Sequence, residues 1–208
     1  YYALLSNLPM LEPSDAQEAK DMIHYAVEIS EKLELPCLFR TTTRVAHTRT
    51  PVTLDRIQKP NMKGEFIKDA KRFVMVPANA RTQHRWLLDK MEKAKTISQK
   101  SPFNKITKQG VDVGVITSGA VCSYTAEAFD LFNLDVSILK LGMTNPLPKN
   151  LIVNFLESHR KVIVIEELEP YLETQIKAIA KDNTPNIEIH GKIGIGYFPR
   201  YGELSTRL

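Results

Sequence analysis

The sequence predicts an α/β fold in which a three-layer sandwich encloses a mostly parallel sheet. From about residue 110 onward, strand-like runs alternate with amphipathic helical segments. The strand-like runs are nearly continuous in Val and Ile, which is typical of strands covered by helices on both faces. The predicted strands are VDVGVITSG, DVSILKLG, KVIVIEEL and NIEIHG. A predicted helix lies between each strand and the next.

The front of the chain predicts one further helix–strand pair. The segment EPSDAQEAKDMIHYAVEISEKLEL offers Ser14 or Asp15 as helix N-cap, with Gln17 and Glu18 three residues later, as in a capping box. LPCLFRTT follows as a short apolar strand. Because only one such unit precedes a change in composition, we predict that it is the tail of a domain. The chain begins with Tyr1 rather than Met, which predicts either an interior fragment of a longer protein or a processed or trimmed chain.

A basic connector is predicted between these two parts. Residues 50–73 lack periodicity and are predicted to be a linker. A short strand ending at Pro77 is predicted in RFVMVPANA. An amphipathic helix is predicted in RTQHRWLLDKMEKAKTISQK. Residues 40–108 contain 17 Lys and Arg against 5 Asp and Glu, a net charge of +12, whereas the rest of the chain carries −8. A nucleic acid is one partner that such a segment could take. No nucleic-acid motif supports it, so we favour contact with acidic flanking domains.

The composition excludes several classes of protein. No apolar run approaches the ~20 residues that a membrane helix needs, and no segment resembles a signal peptide. Cys37 and Cys122 are far apart and lie in apolar surroundings, so they predict buried thiols in a reducing compartment rather than a metal site. We therefore expect a cytoplasmic protein with no membrane contact and no metal bound by these residues.

The segment RTTTRVAHTR is the first candidate site. It follows an apolar strand and brings arginine and threonine donors together, which suits a phosphate or carboxylate. We take Arg40, Thr42, Arg44 and His47 as a candidate anion-facing or interface rim. The alternative is a solvated strand exit without a ligand.

Two further motifs stand at predicted strand ends. In GVITSGA, Gly114 and Gly119 have the spacing of a P-loop, but Ala120 replaces the required lysine, so Gly119 is predicted to make a tight turn, with a weak anion site as the alternative. In IEELEP, Glu166 and Glu167 are consecutive, and consecutive strand residues point to opposite faces. We therefore favour helix capping or an interface role over a shared acid–base pair.

Several stretches together resemble one enzyme family. They are LEPSDAQEAKDMIHYAVEISEKLELPCLFRTTTRVAHTR, FVMVPANAR, GVITSGAVCSYTAEA, LKLGMTNPLP, VIVIEELEPYLETQ and GYFPRYGELS. In collinear order and over nearly the whole chain, they resemble the alpha subunits of the indolepyruvate:ferredoxin oxidoreductases. These belong to the thiamine diphosphate-dependent 2-oxoacid:ferredoxin oxidoreductases.

The resemblance implies a domain layout and a reaction. Residues 1–50 would be the C-terminal part of a pyrimidine-binding thiamine domain, residues 51–108 a basic linker with an amphipathic helix, and residues 109–208 a transketolase C-terminal-like domain. The family reaction is the oxidative decarboxylation of aryl pyruvates such as indolepyruvate to acyl-coenzyme A, with ferredoxin as electron acceptor. The implied partners are a beta subunit and ferredoxin, and the implied substrates are coenzyme A and an aryl pyruvate.

The resemblance also implies cofactors that these residues lack the means to hold. The full-length protein would carry thiamine diphosphate, Mg and [4Fe-4S] clusters, but neither a GDG-type loop nor clustered cysteines occur here. We therefore expect the fragment to bind no cofactor, to supply no catalytic residue and to serve assembly as an inactive framework. The alternatives are a stand-alone binding or regulatory module that kept the fold without the chemistry, and a transketolase-like carbon-transfer enzyme.

Overall fold

A computed structural model describes residues 1–56, 64–107 and 112–206. The helices are α1 (Tyr2–Ser6), α2 (Ala16–Leu33), α3 (Thr43–His47), α4 (Ala70–Phe73), α5 (Pro77–Gln99), α6 (Val121–Leu131), α7 (Lys149–Glu157) and α8 (Tyr171–Asn183). The strands are β1 (Met10–Leu11), β2 (Leu38–Phe39), β3 (Lys105–Ile106), β4 (Val113–Ser118), β5 (Ser137–Leu141), β6 (Met143–Asn145), β7 (Lys161–Ile165) and β8 (Glu188–His190). Within the described ranges, no helix is both long and apolar enough to cross a bilayer.

The larger sheet has five strands in the order β3-β5-β4-β7-β8. Strands β5, β4, β7 and β8 are parallel, and β3 pairs antiparallel with β5 at one edge. The central strand β4 pairs on both sides and is buried along nearly its whole length, as its continuous apolar sequence predicts. The predicted mostly parallel sheet is therefore confirmed, although the first residue of VDVGVITSG lies outside the described ranges.

The strand order places helices on both faces of this sheet. The chain passes from β4 through α6 to β5 on one side, then returns through α7 to β7 and through α8 to β8 on the other. Because parallel crossovers are right-handed, α6 covers one face and α7 and α8 cover the opposite face. The core lies under α7 and α8, where Ile152, Phe155 and Ile176 pack against Ile116 and Val164. The predicted three-layer sandwich is confirmed.

A smaller sheet, in the order β2-β1-β6, joins the front of the chain to the sandwich. Strand β1 pairs parallel with β2 and antiparallel with β6. Gly142 separates β5 from β6, and a Cβ atom there would lie 2.6 Å from the Phe103 side chain and 2.7 Å from its backbone oxygen. The absence of a side chain thus lets one stretch of chain pass from the larger sheet into the smaller one.

Helix α2 begins as its sequence predicts. Asp15 is the N-cap, and its carboxylate accepts the backbone N–H of Glu18 at 2.8 Å. The Glu18 carboxylate in turn accepts the backbone N–H of Ser14 at 3.1 Å and its hydroxyl at 2.8 Å. The buried side of α2 packs against α5 and β6, through residues that include Met22, Met91 and Met143.

The connector differs from its prediction in two respects: residues 70–73 of the predicted linker form helix α4, and RFVMVPANA contains no strand. The strand expected in RFVMVPANA is wrong, because Phe73 ends helix α4 and α5 begins at Pro77. Asp69 starts α4 by accepting the backbone N–H groups of Lys71 and Arg72, and a proline at a helix start costs no hydrogen bond. The predicted amphipathic helix is confirmed as α5. Residues 57–63 of the predicted linker lie outside the described ranges.

The strand predicted in LPCLFRTT shortens to β2, whose two residues are only half-buried. The following RTTTRVAHTR segment is not simply a strand exit. It forms the short helix α3, with Thr42 as N-cap residue and Val45 buried beneath it.

Candidate functional site

A cavity of about 690 Å³ lies at the carboxyl ends of the strands of both sheets. This is the edge at which open α/β sheets usually bind their ligands. Helix α1, the ends of β1 and β2, and the segments after β4 and β7 enclose it. The lining residues that carry polar groups include Glu12, Arg40, Ser118, Glu166, Glu167, Glu169 and Tyr171.

The carboxylate of Glu12 is the buried polar centre of this cavity. Glu12 follows β1 and is 5% exposed, and its backbone N–H donates to the Gly142 carbonyl at 2.8 Å. The Arg40 guanidinium and the Ser118 hydroxyl both donate to the carboxylate, the hydroxyl at 3.2 Å. The anion that Arg40 faces is therefore part of the chain itself.

The same carboxylate lies against the turn at Gly119. Gly119 has φ +57°, and a Cβ atom there would lie 2.9 Å from Glu12 Oε1. The tight turn predicted at this glycine is confirmed. Because the Glu12 side chain lies against the turn, an external anion at this position would meet a negative charge.

The three carboxylates of IEELEP point to separate partners. Glu166 accepts the backbone N–H groups of Leu172 and Glu173 at 2.8 and 2.9 Å and thus caps α8. Burial raises the pKa of Glu166 to about 6, although the two backbone hydrogen bonds oppose this shift. Glu167 accepts the backbone N–H of Leu204 at 3.1 Å. The capping role predicted from the sequence is confirmed for Glu166.

The third carboxylate, Glu169, forms an exposed ion pair with Arg200. Each carboxylate of this motif is thus engaged with a different part of the chain. A shared acid–base pair would need two of these carboxyl groups to face one substrate. The arrangement instead ties the start of α8 and the segment after β8 to the edge of the sheet.

Of the four predicted rim residues, only Arg40 lines the cavity. Arg44 on α3 binds Glu203 instead, with Nε and a terminal nitrogen 2.8 and 2.6 Å from the same carboxylate oxygen. His47 is exposed at the end of α3. The Thr42 hydroxyl is buried and has no hydrogen-bond partner among the described residues. The structure thus separates residues that the sequence places together.

Two residues at this edge, Glu12 and Lys140, were not predicted from the sequence. Glu12 lies after a two-residue strand, too short for a periodic pattern, and its partner Arg40 is 28 positions away. Lys140 is different, because a lysine inside the apolar run SILKL is visible as an anomaly. Its ammonium group is buried and pairs with Glu18 at the start of α2. This second buried contact also joins the front of the chain to the sandwich.

The electrostatics of the Glu18–Lys140 pair favour its ionised form. Burial of Glu18 tends to raise its pKa, but the Lys140 ammonium and the two Ser14 contacts outweigh this and hold the pKa below its ordinary value. Glu18 is therefore ionised at neutral pH. The pair is a polar contact whose geometry specifies how α2 lies on the sheet.

These residues do not fit the cofactors of the resembling family. Cys122 is buried as predicted, whereas Cys37 is only partly buried. Burial raises the pKa of both thiols to about 11, so both are protonated at neutral pH. In the described part of the chain, no three His, Cys, Asp or Glu side chains are grouped as metal ligands. The carboxylates at the sheet edge already have partners, so they are not a free ligand set for the Mg of a diphosphate site.

Solved structures define the class of fold. A 2-oxoglutarate:ferredoxin oxidoreductase from Magnetococcus marinus matches 88% of this chain and 38% of its own, with 16% identity and a TM-score of 0.56. A split-gene transketolase, described as an inactive beta4 tetramer, matches 88% of this chain and 47% of its own, with 14% identity and a TM-score of 0.52. The fold is thus of the α/β class found in transketolases and 2-oxoacid:ferredoxin oxidoreductases, and its sandwich is transketolase C-terminal-like.

Sequence relatives narrow this class to one family. The indolepyruvate oxidoreductase subunits IorA of Methanothermobacter thermautotrophicus, Pyrococcus horikoshii and Thermococcus kodakarensis are 40, 42 and 43% identical, over 93, 99 and 99% of this chain. The chain is thus similar to indolepyruvate oxidoreductase subunits IorA over nearly its whole length, and it spans about 32% of the length of these three relatives. No protein-family model matches it.

Proposed function

We propose that the chain is an interior part of a 2-oxoacid:ferredoxin oxidoreductase subunit, one that oxidatively decarboxylates aryl pyruvates such as indolepyruvate to acyl-coenzyme A. The observation that carries the proposal is the similarity to IorA subunits over nearly the whole chain. Ferredoxin would accept the electrons, and a beta subunit would complete the enzyme. Thiamine diphosphate, Mg and [4Fe-4S] clusters would be held by residues outside this chain.

We further propose the following layout. Residues 1–50 are the end of a pyrimidine-binding thiamine domain, residues 51–108 a connector, and residues 109–208 the transketolase C-terminal-like domain. Support for the first boundary comes from the small sheet, whose strands β1 and β2 are two residues long and whose edge strand β2 is only half-buried. Two apolar residues of α2, Ile23 and Val27, are also about half exposed. Such a unit has the open edge and apolar surface that the remainder of a domain would cover.

In this proposal the candidate site holds the front of the chain on the sandwich and is not a reaction centre. The Glu12–Arg40 contact fixes the ends of β1 and β2 relative to Ser118 of the sandwich. The Glu18–Lys140 pair fixes the start of α2 in the same way. Polar contacts of this kind specify one arrangement of two packed units because a shifted arrangement would leave a buried charge unpaired. Arg40 and Glu12 are thus positioning residues for chemistry that takes place elsewhere.

The experiment is an assay of the complete enzyme. The longer subunit that contains this chain is purified with its beta subunit, and reduction of ferredoxin is followed with indolepyruvate and coenzyme A. We expect turnover that requires both substrates and that is faster with indolepyruvate than with pyruvate. A preparation with its cofactors bound that turns over no aryl pyruvate would contradict the proposal. Transfer of a two-carbon unit between sugars, without ferredoxin, would instead support the transketolase-like alternative.

A further inference from the structure

A cationic surface lies between α4 and the first half of α5. Lys71, Arg81 and Arg85 line a concavity of about 860 Å³ there, and all three side chains are exposed. Within residues 1–56, 64–107 and 112–206, none of the three forms an ion pair. By contrast, Lys95 further along α5 pairs with Glu92. Asp69 and Asp89 also line the concavity, but together with Arg72 its four cations outnumber these two carboxylates, so the lining keeps a net positive charge.

An exposed apolar run adjoins these cations. Phe73, Val74, Met75 and Val76 are consecutive, and each is about half exposed or more, with Phe73 at 61%. The run has a defined conformation, because the Val74 carbonyl accepts the Asn79 side-chain amide at 2.8 Å and the Val76 backbone N–H at 2.9 Å. A run of apolar residues exposed in this way is typical of an interaction surface.

Buried contacts hold the surface in place from below. Arg72 lies 5.2 Å from the centres of both the Phe73 and Trp86 rings and pairs with Glu34 at 3.3 Å. Lys90 is 4% exposed, with its Nζ 3.3 Å from the Trp86 ring centre and 2.9 Å from the Glu34 carbonyl oxygen to which it donates. These contacts fasten α4 and α5 to the end of α2. A surface ordered before binding loses less conformational entropy when a partner docks.

We propose that this α4–α5 surface, defined by Lys71, Phe73–Val76, Arg81 and Arg85, docks a separate protein that presents acidic side chains around an apolar centre. Arg, Met and aromatic residues are enriched at protein interfaces, and the surface combines them. The net positive charge of its lining selects an acidic partner by charge complementarity. The inference does not depend on the reaction proposed above.

Two other occupants fit the surface less well. A second copy of this chain, paired through the same surface, would bring like charges together, which disfavours a symmetric dimer. A membrane would need an amphipathic helix lying in the lipid interface with its apolar side chains inserted, whereas here the cations surround a concavity between two helices. A concavity is suited to receive side chains that project from a protein.

The test uses the chain with two defined acidic polymers as probes. One is poly-L-glutamate, and the other is a random copolymer of glutamate and tyrosine in a four-to-one ratio. We expect the copolymer to bind more tightly, and its binding to weaken with added salt. The double variant Arg81→Ala/Arg85→Ala should weaken copolymer binding roughly tenfold. The double variant Lys93→Ala/Lys95→Ala, which removes the same charge at least two turns further along α5, should change it little.

A second variant tests the apolar part of the surface. Val74→Ser/Val76→Ser should remove the preference for the copolymer over poly-L-glutamate while the salt dependence stays. Both residues lie outside the hydrophobic cores, so the fold should be kept, and circular dichroism verifies this for every variant.

Four outcomes would overturn the proposal. The first is that the copolymer does not bind, or binds no more tightly than poly-L-glutamate. The second is that the arginine double variant and the lysine double variant weaken copolymer binding equally. The third is tighter binding to phosphatidylserine vesicles than to the copolymer, which would indicate a membrane. The fourth is binding by this chain but not by the longer subunit that contains it, because the surface would then be covered by the same polypeptide.

Discussion

Replacement of Lys140 by methionine tests how much the buried contact between α2 and the sandwich contributes. The substitution places an unbranched apolar side chain of similar length in β5 and removes the one cation that pairs with the Glu18 carboxylate among the described residues. Loss of one partner from a buried pair costs about 3–5 kcal/mol. Glu18 retains its two contacts with Ser14, so we expect the lower end, about 3 kcal/mol.

The assay is urea denaturation, with Lys161→Met as the matched control. Lys161 is also a strand lysine, but its ion pair with Glu188 is long, at 3.9 Å, and partly exposed. Exposed pairs contribute about 0–1 kcal/mol, so the control should move the unfolding midpoint little. The Lys140 variant should lower that midpoint by about 1 M urea or more, given a slope of roughly 1–3 kcal/mol/M.

The pH dependence gives a second check on the same reasoning. The pKa of Glu18 is lowered in the folded chain, so its contribution to stability is present above its ordinary pKa and is lost as the pH falls. Without Lys140 the Glu18 pKa should rise, and protonation should relieve the unpaired charge. The destabilisation should therefore be largest at neutral pH and shrink as the pH falls towards 4. A loss equal to that of Lys161→Met, or one that is constant with pH, would refute this account.

Three further predictions follow from single contacts. The pKa of Glu166 is raised to about 6 in the folded chain, so the free energy of unfolding should fall by about 2 kcal/mol as the pH rises from 4.5 through 6. The substitution Glu166→Gln should remove this pH dependence, as measured by urea denaturation at several pH values. A pH profile identical to that of the parent would contradict the assignment. Arg44→Ala should leave the melting temperature within about 2 °C of the parent, since its pair with Glu203 is exposed, yet weaken assembly of the complete enzyme in gel filtration. Normal assembly with a lower melting temperature would show that Arg44 stabilises the fold and does not serve assembly. Gly191→Ala should destabilise the chain by about 1–3 kcal/mol in urea, because the new Cβ would lie 2.5 Å from a Glu173 carboxylate oxygen, whereas Gly64→Ala, with open space around it, should be neutral.

The sandwich could be predicted because its strands are encoded locally. Residues of β4 are covered on both faces and are therefore mostly apolar, a pattern that needs no knowledge of the rest of the fold. In β7 every second residue is fully buried, and the residues between them are partly buried. The strands β1, β3 and β6 have only two or three residues each. Elements of that length show no periodicity, and distant pairing partners determine them.

The connector shows how local signals can conflict. The run Phe73–Val76 has the composition of a strand, yet Asp69 caps a helix before it and Pro77 begins another after it. The capping and proline signals were present in the sequence and were the stronger ones. Buried apolar side chains usually stabilise a strand, but this run is exposed, so its β-propensity gains nothing from packing.

The candidate site was predicted only in part, because the partners of its charged residues are distant in the sequence. The arginines of RTTTRVAHTR were visible as anion ligands, but the sequence does not show which anion each one meets. Arg40 meets Glu12, 28 positions earlier, and Arg44 meets Glu203, 159 positions later. Such pairings depend on how β1, β2 and the segment after β8 come together. By contrast, the capping role of Glu166 could be predicted, because strand alternation and the following helix are local.

The central claim is that these residues hold the fold together and leave cofactor chemistry to other parts of the protein. Titration calorimetry of the chain with thiamine diphosphate and Mg²⁺ tests it most directly. The Glu12–Arg40 contact already pairs two charged groups of the cavity at the strand ends, so we expect no heat of binding at cofactor concentrations up to the millimolar range. Micromolar binding that is lost in Arg40→Ala would contradict the claim, because the cavity would then be a cofactor site.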